Sequence, residues 1–160
     1  MVRVIGVIGE SAFSDPEHEA LAEDVGRRIA AAEAVLICGG SAGVMEAACR
    51  GARRAGGLTV GILSGIERAE ANPFVTIAVA TGMGQARNTL IVLSSDVLIA
   101  IGGGYGTLAE IALAFRYGKA VIGLRTWEAG HGDLRAPITV VRSSEEAVRV
   151  AMQIAGRGPG

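Results

Sequence analysis

The 160-residue chain has a formal net charge of −1, and half of its residues are hydrophobic. This balance excludes the basic surface that a nucleic-acid-binding protein needs, and the scattered Lys and Arg residues exclude a polybasic membrane patch. The sequence predicts no signal peptide and no membrane-spanning segment, so we expect a cytoplasmic protein that contacts neither nucleic acid nor membrane.

Short, β-branched apolar runs recur along the chain and predict strands. They lie at 2–8, 35–38, 58–63, 75–79, 97–101, 120–124 and 138–141. Their hydrophobicity is continuous rather than alternating, which is typical of parallel strands covered on both faces.

Helical periodicity fills most of the gaps between these runs. A capping signal at 14–17 begins the first helix, and further helices are predicted at 43–54, at 85–93, from Leu108 to Phe115 and from Ser143 or Ser144 onward. The segments 64–73 and 125–137 are predicted to be loops. The alternation predicts a three-layer, doubly wound Rossmann-type α/β fold with a central, mostly parallel sheet of about seven strands. We expect one domain over 1–160, with a frayed tail at 155–160.

Cysteine and histidine residues give no metal signature. Cys38 and Cys49 are not part of a CxxC motif, and neither they nor the histidines have metal-ligand spacing, so we predict no metal site and two buried thiols in a reducing compartment. His18 and His131 are predicted to lie at the surface, because no spacing suggests a partner for either.

Small residues follow four of the predicted strands. These turns are 9–12, 39–43, 81–84 and 102–107, and all except the first lead quickly into a helix. In an open parallel sheet, ligands bind beyond the carboxyl ends of the strands. Glycine there lets backbone N–H groups approach phosphate oxygens, and a helix N-terminus adds free donors and partial positive charge. The sequence therefore predicts a site for a phosphorylated small molecule.

Several common nucleotide and hydrolase sites are disfavoured. The first predicted strand does not end in GxGxxG and the second ends in Cys38-Gly39-Gly40 rather than an acid, which argues against an ordinary NAD site. Neither a GxxxxGK[ST] P-loop nor a GxSxG nucleophile elbow is present.

Three motifs of this chain resemble those of the LONELY GUY (LOG) family, whose members are often mislabelled as lysine decarboxylases. The family's PGGxGTxxE motif is matched by Gly102 to Glu110, its GGGxxGLM-like turn by Gly39 to Met45, and its MxxRK motif by Gly84 to Asn88. The resemblance covers about 3–124 and implies a Rossmann-type fold and assembly into a homo-oligomer, a dimer or tetramer.

The resemblance also implies an activity, cleavage of the N-glycosidic bond of a nucleoside 5′-monophosphate. Arg87 and Glu110 would be the catalytic pair, with the glutamate stabilising oxocarbenium-like charge at the sugar. We expect phosphate or nucleotide contacts from the residues of the two longer glycine turns: Gly39, Gly40, Ser41, Gly43, Met45, Gly103, Gly104, Tyr105, Gly106 and Thr107. Residues expected to line the pocket are Gly9, Glu10, Ser11, Met83 and Asn88.

Four substitutions separate this chain from the LOG pattern. The motif proline is Gly102, and the first of the paired acids is Ala109. In the MxxRK motif, the lysine is Asn88 and the methionine is Gly84. The alternative is the branch that includes molybdenum cofactor carrier proteins, which have the same fold and bind a phosphorylated pterin without necessarily turning it over. No cofactor is required by the hydrolase hypothesis, whereas the carrier hypothesis makes the molybdenum cofactor the ligand.

Overall fold

A single parallel sheet organises the chain in the computed structural model, which describes residues 1–157. The strands are β1 Val4–Gly9, β2 Val35–Cys38, β3 Thr59–Leu63, β4 Ile77–Ala80, β5 Val97–Ile101, β6 Ala120–Leu124, β7 Gly130–His131, β8 Leu134–Arg135 and β9 Thr139–Val141. Seven of them form the sheet in the order β4-β3-β2-β1-β5-β6-β9, and every neighbouring pair is parallel. The predicted fold class is confirmed.

The helices cover both faces of this sheet. They are α1 Glu17–Ala31, α2 Val44–Arg54, α3 Asn88–Ser94, α4 Tyr105–Arg116 and α5 Ser144–Ala155. Apolar residues of α1, α2 and α5 form one buried cluster with the sheet, and those of α3 and α4 form a second cluster on the other face.

Strand β5 shows why the central runs are continuously apolar. Val97, Ile99 and Ile101 belong to the cluster with α1, α2 and α5, while Leu98 and Ala100 belong to the cluster with α3 and α4. Successive side chains of a strand point to opposite faces, so a strand covered on both sides must be apolar at every position.

The edges of several elements differ from the sequence prediction. β1 begins at Val4 rather than Val2, whose side chain is exposed. β4 begins at Ile77 rather than Val75, because the Val75 N–H donates to the Asn72 carbonyl in a turn. The helix predicted at 85–93 is a 3₁₀ turn, Gly84–Arg87, followed by α3.

The two predicted loops contain short regular pieces. The segment 125–137 holds an antiparallel hairpin formed by β7 and β8, and 64–73 holds the 3₁₀ turn Arg68–Glu70. In the predicted tail, Ala155 is the last residue of α5, whereas 158–160 lie outside the described residues. Within 1–157, no helix is both long and apolar enough to cross a membrane.

Candidate ligand-binding site

A cavity of about 330 Å³ lies at the carboxyl edge of the sheet. It opens beside the ends of β1, β2 and β5. Strand β1 lies between β2 and β5, and later strands are added on both sides of it, so the strand order reverses direction there. Open α/β sheets bind ligands at this topological switch point. The lining residues are Gly9, Glu10, Ser11, Gly39, Ser41, Met45, Leu63, Ser64, Glu70, Gln85, Arg87, Asn88, Gly106, Thr107 and Glu110.

The N-terminus of α4 borders this cavity. Gly104 is its N-cap and Gly106 and Thr107 lie in its first turn, where backbone N–H groups have no partner within the helix. A Cβ at Gly104 or at Gly106 would meet no atom within 4 Å, and neither residue has a left-handed φ. Neither packing nor backbone conformation therefore requires glycine at these positions, and the missing side chains leave space for a molecule to approach the helix.

Two buried polar atoms in the cavity wall lack a partner. Among the described residues, the fully buried side-chain N and O atoms without a hydrogen bond are Arg87 Nε and Thr107 Oγ1. Arg87 is 8% exposed and Thr107 is 2% exposed. Buried polar groups in native proteins are almost always hydrogen-bonded, so these two atoms mark the part of the cavity wall where partners are missing.

Arg87 is positioned by the end of β2 and by its neighbour in the chain. Its guanidinium donates to the Asn88 side-chain oxygen. A Cβ on Gly39 would lie 2.7 Å from Arg87 Nη2, so glycine at this strand end makes room for the guanidinium. A surface position for Arg87 is thereby excluded.

Glu110 lies one helical turn after Thr107 on the buried side of α4. It is 8% exposed. Burial raises the pKa of its carboxyl group to about 7, and the positive charge of Arg87 offsets only part of that increase. Near neutral pH the group is divided between its neutral and ionised forms, so it can donate or accept a proton.

Glu10 is held by several hydrogen bonds. Its carboxylate accepts from the Ser14 N–H at 3.0 Å, from the Ser14 hydroxyl at 2.8 Å and from the Gly103 N–H at 3.4 Å, and its Oε1 lies 2.7 Å from His18 Nδ1. Burial raises the pKa of Glu10, but these hydrogen bonds outweigh burial and hold the pKa below its ordinary value. The prediction that His18 lies at the surface was wrong, because His18 is buried against this carboxylate.

Most of the residues predicted from the sequence surround the one cavity. Those that line it are Gly9, Glu10, Ser11, Gly39, Ser41, Met45, Arg87, Asn88, Gly106, Thr107 and Glu110. Those that lie outside its lining are Gly40, Gly43, Met83, Gly103, Gly104 and Tyr105.

The residues outside the lining have other surroundings. Gly40 and Gly43 adopt left-handed φ values of 70° and 67°, so the turn itself requires glycine there. Tyr105 is 84% exposed and packs against the Trp127 ring, with 6.1 Å between ring centroids. Met83, predicted to line the pocket, is exposed, because it follows the edge strand β4.

Four lining residues were absent from the prediction: Leu63, Ser64, Glu70 and Gln85. Leu63 and Ser64 stand at the carboxyl end of the third predicted strand, so the rule used for the other strands would have found them. Gln85 is two residues before Arg87, whereas Glu70 had no signal because it reaches the cavity from a loop.

The glycine at position 102, where the LOG motif has proline, has a structural explanation. Its φ is +57°, which proline cannot adopt, and a Cβ would lie 2.7 Å from His18 Nδ1. The turn before α4 is therefore fitted to the Glu10–His18 pair.

Comparisons with known proteins found similarity along nearly the whole chain. The model of the SLOG cluster4 family matches residues 2–155. An uncharacterized protein of Archaeoglobus fulgidus is 50% identical over 121 residues, which are 76% of this chain and 79% of that protein.

Two solved structures are similar in both fold and sequence. The molybdenum cofactor binding protein of Rippkaea orientalis is 38% identical, with a TM-score of 0.87 over 96% of this chain and 98% of that one. The molybdenum cofactor carrier protein of Chlamydomonas reinhardtii is 32% identical, with a TM-score of 0.84 over 98% of this chain and 99% of that one.

Proposed function

This chain belongs to the SLOG cluster4 family, and we propose that it binds a phosphorylated pterin and carries it without turnover. Two similar solved structures are a molybdenum cofactor binding protein and a molybdenum cofactor carrier protein. The expected LOG-like fold and the resemblance to the carrier branch are both confirmed by these comparisons. The ligand itself is our proposal for this chain.

The observation that supports it best is the pair of unpartnered atoms, Arg87 Nε and Thr107 Oγ1, in a cavity bordered by a helix N-terminus. A ligand phosphate suits the free N–H groups at the start of α4. The heteroatoms of a pterin suit the two unpaired side-chain atoms. The cavity volume of about 330 Å³ lies at the lower end of the range for small-molecule sites.

The charges of the cavity wall are mixed. Arg87 supplies positive charge, whereas the Glu10 carboxylate, stabilised by hydrogen bonds from Ser14 and Gly103, supplies negative charge. Glu110, with its pKa raised to about 7 by burial, is neutral in much of the protein near neutral pH. When bound, the cofactor would supply molybdenum redox chemistry, and Arg87, Thr107 and the N-terminus of α4 would hold it.

Mass spectrometry of ligand released from the purified protein tests this proposal. We expect one phosphorylated pterin per binding site, recovered intact after incubation. Arg87→Ala and Thr107→Val should each lower the recovered amount, because each removes a group that would pair with the ligand. A fully occupied Arg87→Ala/Thr107→Val protein would contradict the proposed site.

A second candidate function is hydrolysis of a nucleoside 5′-monophosphate to base and ribose 5-phosphate. The observation that favours it is Glu110, a buried carboxyl group with its pKa raised to about 7 and facing the charge of Arg87. Such a group can stabilise charge at the sugar or activate water.

Chromatography of a nucleoside monophosphate panel after incubation tests the hydrolase. Release of free base that is lost in Glu110→Gln would support it, with Glu128→Gln as a control that removes an acid outside the cavity. No product from any nucleotide, or full activity of Glu110→Gln, would contradict it.

We also propose that the chain forms a homo-oligomer. Ile77 and Val79 of the edge strand β4 and Leu93 of α3 are exposed apolar side chains, which association would cover. Light scattering coupled to gel filtration should report a dimer or tetramer, and a monomer at micromolar concentration would contradict this.

We also propose a reducing location such as the cytoplasm, where the buried thiols of Cys38 and Cys49, with Sγ atoms 3.5 Å apart, would remain reduced. Cell fractionation tests this.

A further inference from the structure

The turn that precedes α4 is fixed by groups from distant parts of the chain. The peptide unit between Gly102 and Gly103 is held at both of its polar atoms. Its carbonyl oxygen accepts from the Thr126 hydroxyl at 2.5 Å, and its N–H donates to Glu10 Oε2 at 3.4 Å. These two hydrogen bonds, a short one to the carbonyl and a long one from the N–H, lie at opposite edges of one peptide group and favour its present orientation.

Glu10 also contacts the other glycine turn. Its backbone carbonyl accepts from the Val44 N–H at 2.9 Å, at the beginning of α2. A Cβ at Gly43 would lie 2.2 Å from this carbonyl oxygen, so the α2 turn is packed directly on Glu10. Glu10 therefore contacts both the beginning of α2, through its backbone carbonyl, and the turn before α4, through its side chain.

The side chain of Glu10 is itself immobilised. Ser14 donates to both carboxylate oxygens, and His18 Nδ1 lies 2.7 Å from Oε1. Gly102 has no side chain, and a Cβ there would come within 2.7 Å of His18 Nδ1 and 3.0 Å of the Glu10 carboxyl carbon. The glycine turn is thus pressed against a carboxylate that cannot move aside.

We propose that Glu10 is a positioning residue for ligand binding: with Thr126 it fixes the Gly102–Gly103 peptide so that the free N–H groups of α4 face the cavity. This rests on the proposed binding of a phosphorylated ligand at α4. The charge of Glu10 alone would have the opposite effect on binding, because a carboxylate next to an anion site repels anions and lowers their affinity.

A positioning role and simple charge repulsion predict opposite changes in phosphate affinity, so the proposal can be tested. Glu10→Gln removes a negative charge, yet its single amide oxygen cannot replace two carboxylate oxygens that accept from Ser14 and Gly103, and its NH₂ group would face a donor. Glu70→Gln removes the same charge from the same cavity without contact to the turn. Positioning predicts weaker anion binding for Glu10→Gln, whereas repulsion predicts tighter binding for both variants.

The experiment is calorimetric titration of the folded proteins with inorganic phosphate. Loss of one such hydrogen bond corresponds to about three- to tenfold weaker binding for Glu10→Gln. Glu70→Gln should bind phosphate more tightly than the wild type. Glu10→Gln binding phosphate as tightly as the wild type or more tightly would overturn the proposal.

Thr126→Val acts on the other end of the same peptide and leaves the charge unchanged. It should also weaken phosphate binding, and the double variant with Glu10→Gln should be little weaker than the more affected single variant, because both release one peptide. Fully additive effects, or unaltered binding by Thr126→Val, would overturn the shared role. Because Thr126→Val leaves the charge unchanged, its phosphate affinity tests the positioning of the Gly102–Gly103 peptide even if Glu10→Gln does not fold.

Amide exchange distinguishes this inference from the proposed function. Without any ligand, the Gly103 amide proton should exchange with solvent faster in both variants, and unchanged exchange would overturn the inference. Wild-type protein that binds neither phosphate nor a phosphorylated pterin would instead overturn the proposed function.

Discussion

Glycines in two regions of this protein serve opposite purposes. In the layer formed by α1 and α2, a Cβ on Gly26 would lie 1.9 Å from the Ala48 carbonyl oxygen, and one on Gly51 would lie 1.9 Å from the Glu23 carbonyl oxygen. At the α4 N-terminus, a Cβ on Gly106 would meet nothing within 4 Å. The first pair lets two helices touch, whereas the second region keeps space free for something outside the fold.

The surroundings of the two regions differ in the same way. Between α1 and α2, Arg50 lies 2.8 Å from Glu19 and 3.0 Å from Glu23, so polar groups there are paired within the protein. Around the cavity, Glu110 is buried with a raised pKa and Arg87 Nε has no partner. The comparison teaches that the α1–α2 layer stabilises the fold, while the cavity accepts a cost in stability that a ligand can recover.

The largest expected effect comes from Gly51→Ala. The added Cβ would overlap a backbone oxygen of α1 and push the two helices apart, which we expect to lower the free energy of unfolding by about 3 kcal/mol. Urea denaturation measures this change. Gly106→Ala is the matched control, since it adds the same methyl group in open space. Equal losses in the two variants would break the distinction between the regions.

Glu110→Gln should make the protein more stable above neutral pH. The folded-state pKa of Glu110, about 7, exceeds its ordinary value of 4.5. The stability contributed by the protonated group is present below pH 4.5 and is lost as the pH rises to 7. The variant should therefore match the wild type near pH 4.5 and exceed it by up to about 3 kcal/mol at pH 8. Parallel stability profiles from urea denaturation would contradict this.

Gly106→Ala should weaken ligand binding without weakening the fold. A methyl group at the helix N-terminus blocks approach to the free N–H groups, and we expect about tenfold lower affinity for phosphate, equivalent to about 1.4 kcal/mol. Calorimetric titration measures the affinity, and the melting temperature should remain the same or rise slightly, because alanine favours helix. Unchanged affinity would remove Gly106 from the site.

The smallest effect is expected at Asp24, on the α1 side of the sheet. Burial raises the pKa of Asp24, but hydrogen bonds from Ser144, Arg28 and Arg27 outweigh it and lower the pKa to about 2. The resulting stability is present above pH 4 and is lost as the pH falls toward 2.

Asp24→Asn should cost about 1 kcal/mol at pH 7, a value reduced because the side chain is 31% exposed. The cost should vanish near pH 2 in urea denaturation, and a cost independent of pH would show that the charge is unimportant. Binding of phosphate should be unaffected, because Asp24 is not among the residues that line the cavity.

The sequence predicted the fold better than the details of the site. Runs such as Val97–Ile101 report burial on both faces directly, which is why strand number and direction followed from hydrophobicity. The beginning of β4 was predicted two residues too early, because Val75 is apolar but lies in a turn in which its N–H donates to the Asn72 carbonyl. Arg87 and Glu110 were found through motif spacing, but the partner of His18 was missed since nothing in the spacing links it to Glu10.

By itself, the amino-acid sequence determined the alternation of strands and helices and the placement of glycine turns at the carboxyl edge, because both depend on local patterns of side-chain size and polarity. Only the tertiary structure decided which glycines pack and which leave space. It also decided that Arg87 and Glu110 are buried together and that Glu10 and Thr126 hold the same peptide. These are contacts between residues far apart in the chain, and they exist only once the order of the strands brings their ends side by side.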